Sequence, residues 1–489
     1  MMSVPVFEVS NWINGAAVVT RQTEWLNKVN PHTGDLLYRF ANSSTTDSEA
    51  VITAADLAYS EWAALTPVKR GQILSEIAIV MKRRAIELET CIASETGKSL
   101  SDAKGEVGGA ILQAEYFAGE GMRLYGRSLT SAIPGKHSHT VRQPLGVAAL
   151  IVPANTPLAN IAWKAFPALI CGNTVVLKAS EDSPRIANLF AEFCKEAGLP
   201  DGVFNVLHGN GRVAGAALVQ DPRIAVISFT GSTSVGRWIA EVAGRRLARV
   251  SLELGGKNPF VVCDDADLNL AAHWAVLSAF SNAGQRCAAG SRIFVFNNVY
   301  KSFCDVLVAK IKELKLGVDI DCNLGPVINR SQQQSILRSI EVACSEGGRV
   351  LCGGAVPTDP SLVGGFYVQP TLIEGLSPLA ELSQREIFGP VATLYPVKNL
   401  EEALQLANAT EYGLTAAIHT SSVDRAMWFA QRVKAGVANV NMGTYGSEPH
   451  MPFGGFSASG NGTREPGVEA LDVYSELKNI SFLVRDKFL

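Results

Sequence analysis

Between Leu145 and Leu254 the chain repeats one pattern: a short apolar run, then a helix-length stretch, then another apolar run. The runs are VAALIV, NTVVLK, VFNVLH, IAVISF and RVSLEL. They lack the regular alternation of a strand with one wet face, so each reads as a strand covered on both sides. Strands of that kind joined by crossover helices build a doubly wound parallel sheet, the usual seat of a dinucleotide. A second set starts near Asn258, with NPFVVC, SRIFVF, a helix over Tyr300–Leu314, YVQPTLIEGL, GLTAAIHT, a helix over Val423–Lys434 and VANVN. The expected fold is therefore two doubly wound α/β domains that meet at Gly255-Gly256, with a site between them.

The remainder decorates that plan. Residues 5–45 read as short strands and turns, and Val51, Ala54, Ala55, Ala58 and Trp62 form one helical stripe. VKRGQILSEIAIVMKRRAIELETCIASETGK predicts one long amphipathic helix ending at Gly97, and Asp102–Tyr125 predicts another. RSLTSAIPGKHSHTVRQ, over Arg127–Gln143, predicts a protruding hairpin, and SELKNISFLVRD a second, isolated strand. The expected division is a nucleotide-binding domain over 1–126 and 145–254, a catalytic domain over 255–470, and a small β arm over 127–144 and 471–489.

Bulk properties exclude several classes. A chain of 489 residues needs two or three subdomains, and 47% hydrophobic with 18% charged residues fits a well-packed globular protein. A formal net charge of −3 gives no basis for a nucleic-acid partner. MMSVPVFEVSNWING lacks the pattern of a secretory signal, and LGVAALIV is far short of a bilayer span. Nine cysteines without CxxC spacing suggest reduced thiols in the cytoplasm. With His137 and His139 the closest histidine pair and no HExxH, no metal site is expected.

The chemistry concentrates in Val250–Ile293. Glu253 closes an apolar run before a Gly-Gly break, and Cys287 sits in a turn rich in Gly, Ala and Ser. A nucleophilic thiol needs open backbone around it and a base within reach of its products. A lone cysteine is ordinarily a small buried hydrophobe; the glycines, the Gln-Arg pair and the Glu motif set this one apart. LELGGKNPFVV followed by FSNAGQRCAAGSRIFV resembles the paired signatures of the aldehyde dehydrogenase superfamily. That resemblance implies Cys287 as nucleophile, Glu253 as general base, and the Asn155 amide with the Cys287 N–H as oxyanion donors. It also implies Lys164 and Glu465 as supports of the base, and a β arm that joins copies into a homodimer or homotetramer.

Two glycine stretches compete for a pyrophosphate. HGNGRVAG, which contains Gly211, and SFTGSTSVGR each follow a strand. In the second, Ser232 and Thr233 are placed to cap the next helix, where anions are favoured. The resemblance selects the second stretch, through Phe229, Gly231 and Ser232, and leaves Gly211 near the adenine. It matches Lys178 and Glu181 to an adenosine-ribose pair, and Glu386 and Phe388 to the nicotinamide ribose and its aromatic neighbour. A carboxylate at Glu181 accepts from a ribose diol and repels a 2′-phosphate, which favours NAD over NADP.

One segment departs from the family. Pro153-Ala154-Asn155-Thr156-Pro157 stands where two aromatics are common, which alters that wall of the site. The loop Asn441–Pro452 is expected at the substrate entrance, with Tyr445, Glu448 and His450 as polar candidates and Arg286 and Trp163 nearby. A semialdehyde with a distal carboxylate suits Arg286 or His450. The competing readings are a member that hands its thioester to coenzyme A, against which Glu253 argues, and a non-catalytic binding protein on the same fold.

Overall fold

The computed structural model describes residues 7–19, 24–318 and 322–484. The first six residues of MMSVPVFEVSNWING, and the last two residues of SELKNISFLVRD, lie outside the described residues.

The first sheet has the strand order Arg249–Glu253, Ile224–Thr230, Val147–Ile151, Thr174–Lys178, Phe204–Leu207, Asn11–Ile13, Ala16–Val18. The five apolar runs pair in parallel, and the two N-terminal strands extend the edge beyond Phe204–Leu207 antiparallel. One face packs on helices Pro67–Arg83, Leu100–Glu120, Pro157–Cys171 and Pro184–Glu196. The opposite face packs on Thr45–Ala64 and Thr233–Gly244. Burial on both faces explains the unbroken apolar runs.

Strand order reverses between Val147–Ile151 and Ile224–Thr230. Such a switch point opens a crevice at the carboxyl ends of the strands. Ile151 and Lys178 end neighbouring strands there, as do Thr230 and Glu253.

The second sheet runs Arg349–Cys352, Thr371–Glu374, Val391–Val397, Arg292–Phe296, Pro259–Val262, Thr415–His419, Val437–Val440. It is parallel except for its first strand. The strand that ends at Glu253 is prolonged by a chain segment from far downstream. Glu253 bridges to Gly460, and the Leu254 N–H donates to the Ser459 carbonyl at 3.0 Å.

Two expectations need correction. The single helix ending at Gly97 is two helices, Pro67–Arg83 and Ala85–Thr96, broken at Arg84 with φ −110° and ψ 25°. The Arg84 guanidinium bonds Glu87 and Glu196 and covers the Phe193 ring, so the second helix turns onto Pro184–Glu196. No glycine or proline marks that break. The isolated strand is not isolated: Ser475–Leu483 pairs antiparallel with Lys136–Pro144, from Ser475 opposite Pro144 to Leu483 opposite Lys136. No described helix is long and apolar enough to cross a membrane.

Candidate active site

Cys287, Glu253 and Asn155 come from three separate parts of the fold and line one cleft of about 350 Å³. Glu253 arrives on the end of the first sheet, and Asn155 on the loop at its switch point. Cys287 lies on the turn that enters strand Arg292–Phe296 of the second sheet. Asn258 holds that turn by donating to the carbonyls of Cys287 at 2.7 Å and Ala289 at 2.9 Å.

The Gly-Gly break is required by close approach. A Cβ at Gly256 would lie 2.3 Å from the Cys287 carbonyl oxygen, and one at Gly255 would lie 2.5 Å from the Glu386 carboxylate. The two glycines thus admit the thiol turn and the Glu386 side chain to the end of the Glu253 strand.

Desolvation, followed by the charges of Glu386 and Glu253, pushes the Cys287 thiol up to about 12. A proton acceptor is therefore needed before the sulfur can attack. Glu253 lines the same cleft, and burial, with the charge of Glu465 added, raises it well above the ordinary carboxylate range. Both Glu253 oxygens are buried without a hydrogen-bond partner. Glu465, by contrast, is saturated by Lys164 at 2.7 Å, Ser228 at 3.0 Å and Tyr474 at 2.8 Å. Two nearby carboxylates in such unlike surroundings are suited to different tasks.

The cleft continues into a groove of about 710 Å³ along the first sheet, and Pro153, Thr230 and Gly231 line both. Lys178, Glu181, Gly211, Phe229 and Gly231 line this groove. Glu181 accepts the Gly211 N–H at 2.7 Å and meets the Lys178 ammonium at 3.2 Å. Ser232, Glu386 and Phe388 lie on the cleft with Cys287. Burial, opposed by the Gly256 N–H and Lys257, pushes Glu386 up to about 7. Gln332 donates to the Ile387 and Phe388 carbonyls at 2.9 and 3.0 Å and so fixes that loop, with Phe388 at φ 56°.

Residues 18–480 match the aldehyde dehydrogenase family. The chain belongs to that family. It is 38% identical to the alpha-ketoglutaric semialdehyde dehydrogenase of Bacillus subtilis, over 96% of this chain and 97% of that one. The alpha-ketoglutarate semialdehyde dehydrogenase of Haloferax volcanii is also 38% identical, over 96% and 98% of the two chains. Betaine aldehyde dehydrogenase of Staphylococcus aureus, solved with NAD+, superposes with a TM-score of 0.94 at 32% identity, over 96% of this chain and 94% of that one. The protein is an NAD(P)-dependent aldehyde dehydrogenase.

In this aldehyde dehydrogenase the groove fits a dinucleotide on its own chemistry. No side chain caps the first turn of helix Thr233–Gly244, where Ser234 and Val235 line the groove. Free N–H groups at a helix start favour an anionic group. The expected capping by Ser232 and Thr233 does not occur. The Ser232 hydroxyl lies 3.3 Å from that of Ser234, and Thr233 donates to the Ala458 carbonyl at 3.1 Å.

The expected entrance loop and the cleft wall of the dehydrogenase differ in character. Glu448 and His450 are exposed, whereas Trp163 and Phe453 meet as a tilted ring pair, 5.3 Å between centroids, on the cleft wall. Arg286 is engaged by the Ser281 hydroxyl at 3.1 Å, by Asp102 at 3.7 Å and by the Tyr445 ring at 4.8 Å. Lys164 and Glu465 form a fully buried pair behind Glu253. Sequence reasoning missed Asn258 and Gln332. Asn258 lies inside LELGGKNPFVV, so the motif itself held its signal; Gln332 carries none.

Proposed function

We propose that this enzyme oxidises an aldehyde to the carboxylic acid with NAD, through a thioester on Cys287. The observation that carries the reading is the convergence of a half-buried thiol, an unpaired buried carboxylate and the Asn155 amide on one cleft. Glu253 takes the Cys287 proton, and the thiolate attacks the carbonyl carbon. The resulting oxyanion is held by the Asn155 Nδ2–H and the Cys287 N–H, a kind of contact worth roughly 3–4 kcal/mol. The bound dinucleotide supplies a hydride acceptor, and the carbonyl reforms as a thioester. Glu253 gives up the thiol's proton to solvent and then takes one from water as the water oxygen attacks the acyl carbon; the acid leaves and the thiolate is restored. Lys164 and Glu465 are read as supports of the base: Lys164 pairs with Glu465, and its charge opposes the upward push of that carboxylate on Glu253.

Lys178 and Glu181 are the ribose ligands in this reading, Gly211, Phe229, Gly231 and Ser232 the wall around the adenine and pyrophosphate, and Glu386 with Phe388 the nicotinamide side. The boundary between nucleotide-binding and catalytic domains is assigned to Gly255, with the arm over 127–144 and 471–489. Exposed Leu477, Ile480 and Phe482 suit that arm to joining copies of the chain as a dimer or tetramer. Nine free cysteines agree with a cytoplasmic home.

The relatives' names support an aldehyde with a distal carboxylate, for which Arg286, next to the thiol in the chain, is the candidate partner. An aldehyde with a distal carboxylate fits if its carboxylate replaces the long contact of Arg286 to Asp102. A second reading, an apolar or aromatic aldehyde, is favoured by Trp163 and Phe453 on the wall. A panel of carboxylated, aromatic and short aliphatic aldehydes separates them by kcat/KM. Cys287→Ala tests the whole reading: NADH formation should vanish while NAD binding persists, and steady turnover by the variant would overturn it. Acceleration of the wild-type enzyme by coenzyme A, with acyl-CoA as product, would replace hydrolysis by the acylating alternative.

A further inference from the structure

We propose that Lys98 and Glu106 are positioning residues for Asn155, an inference that rests on the oxyanion role assigned to Asn155 above. Both side chains are buried, and the Lys98 ammonium meets the Glu106 carboxylate at 2.5 Å. A buried ion pair is a poor source of stability compared with an apolar pair of the same volume. Its contacts indicate another use.

Lys98 donates to the backbone carbonyl of Asn155 at 2.7 Å. The other end of the pair reaches past the same turn. Glu106 accepts the N–H groups of Leu158 at 2.8 Å and Ala159 at 3.2 Å, at the start of helix Pro157–Cys171. That helix has no cap from Thr156, so Glu106 supplies the missing acceptor from another element. The turn over residues 155–157 is therefore gripped on both sides by one charged pair.

The grip bears on the amide. Asn155 Nδ2 gives one hydrogen to the Gln285 carbonyl at 2.9 Å, which leaves its second for the cleft. Asn155 Oδ1 is buried without a partner, so nothing on the acceptor side of the amide sets its direction. Its aim depends on the Gln285 contact and on the backbone beneath it. Asn282 also donates to the Asn155 carbonyl, at 3.0 Å, but as a neutral group. Charge-assisted bonds are about twice as strong as neutral ones, which makes Lys98 the main anchor.

The test is a double-mutant cycle. Lys98→Met with Glu106→Gln keeps side-chain bulk and an acceptor for the helix N–H groups without leaving a lone buried charge. kcat/KM for the aldehyde should fall roughly ten- to a hundredfold, since misaim forfeits part of one oxyanion donor. NAD affinity should stay within about twofold. In an Asn155→Ala background the same double replacement should add little, because its effect passes through that amide. Undiminished kcat/KM, or an equal loss with and without Asn155, overturns the proposal. Should the double variant not fold, Lys98→Arg takes its place in the same cycle with the same criteria. Asn155→Ala alone guards the underlying reading: if it is fully active, the oxyanion role fails, and not merely the positioning.

Discussion

The side-chain amide of Asn258 donates to the Cys287 carbonyl at 2.7 Å, and its own carbonyl accepts the Thr415 N–H at 3.0 Å. With its second hydrogen on Ala289, the buried side chain joins the thiol turn to strand Thr415–His419 and leaves no polar site unused. Asn258→Ala orphans these buried backbone groups, and each such loss costs about 1–3 kcal/mol. The expected outcome is a lower denaturant midpoint and a slower NADH burst, measured by equilibrium unfolding and stopped-flow mixing.

Glu253→Gln should act on rate and stability in opposite senses. Burial, with the Glu465 charge added, raises Glu253 well above the ordinary carboxylate range, so the folded protein holds that proton more tightly. The associated stability is complete below the unfolded pKa and is lost as pH rises through the folded one. The Gln variant escapes that loss. It should therefore be more stable than the parent at pH 8, with the difference closing as pH falls towards 4.5. Thioester hydrolysis should meanwhile slow by about 10²–10⁴-fold, with the acyl adduct visible by mass spectrometry after quenching. In the parent, the acid limb of deacylation should titrate above the ordinary carboxylate range.

Cofactor choice should turn on Glu181. Its carboxylate, held by Lys178 and the Gly211 N–H, borders the groove. Glu181→Ser removes the repulsion of a 2′-phosphate and frees Lys178 to meet it. The ratio of kcat/KM for NADP over NAD should rise by roughly tenfold, equivalent to ~1.4 kcal/mol. Steady-state kinetics with both cofactors measure this.

The adjacent glycines should respond differently to alanine. At Gly256 the added carbon meets backbone, the Cys287 carbonyl, which can yield only by moving the thiol. Single-turnover acylation should fall by about 10²-fold, the scale of a misplacement near 1 Å. At Gly255 it meets the end of the flexible Glu386 side chain. That variant should weaken cofactor binding more than it slows acylation, as read by fluorescence titration.

The strand runs were legible because burial on both faces leaves a continuous apolar signature. The convergence of Cys287, Glu253 and Asn155 was legible through motif resemblance, and the structure supplies its physical content. What stayed hidden depends on contacts distant in sequence. Arg84 breaks its helix through Glu196 and Phe193, more than a hundred residues away. Glu106 serves the helix start at Leu158. The hydroxyls at Ser232 and Thr233 look like caps in sequence, yet Thr233 turns to Ala458, a partner that only the folded chain brings near.

The bridge between Glu253 and Gly460 bears on how this scaffold can be recombined. The chain suggests a clean seam at Gly255 for exchanging a nucleotide-binding module between relatives. The strand that presents the carboxylate, however, is completed by the downstream segment that also bears Ser459 and Glu465. A chimera cut only at the glycines would keep Thr230 beside Glu253 but give it a foreign neighbour at Gly460. Residues 457–465 belong to the transplanted unit, so a functional exchange needs crossovers at both ends of that segment as well as at the glycines.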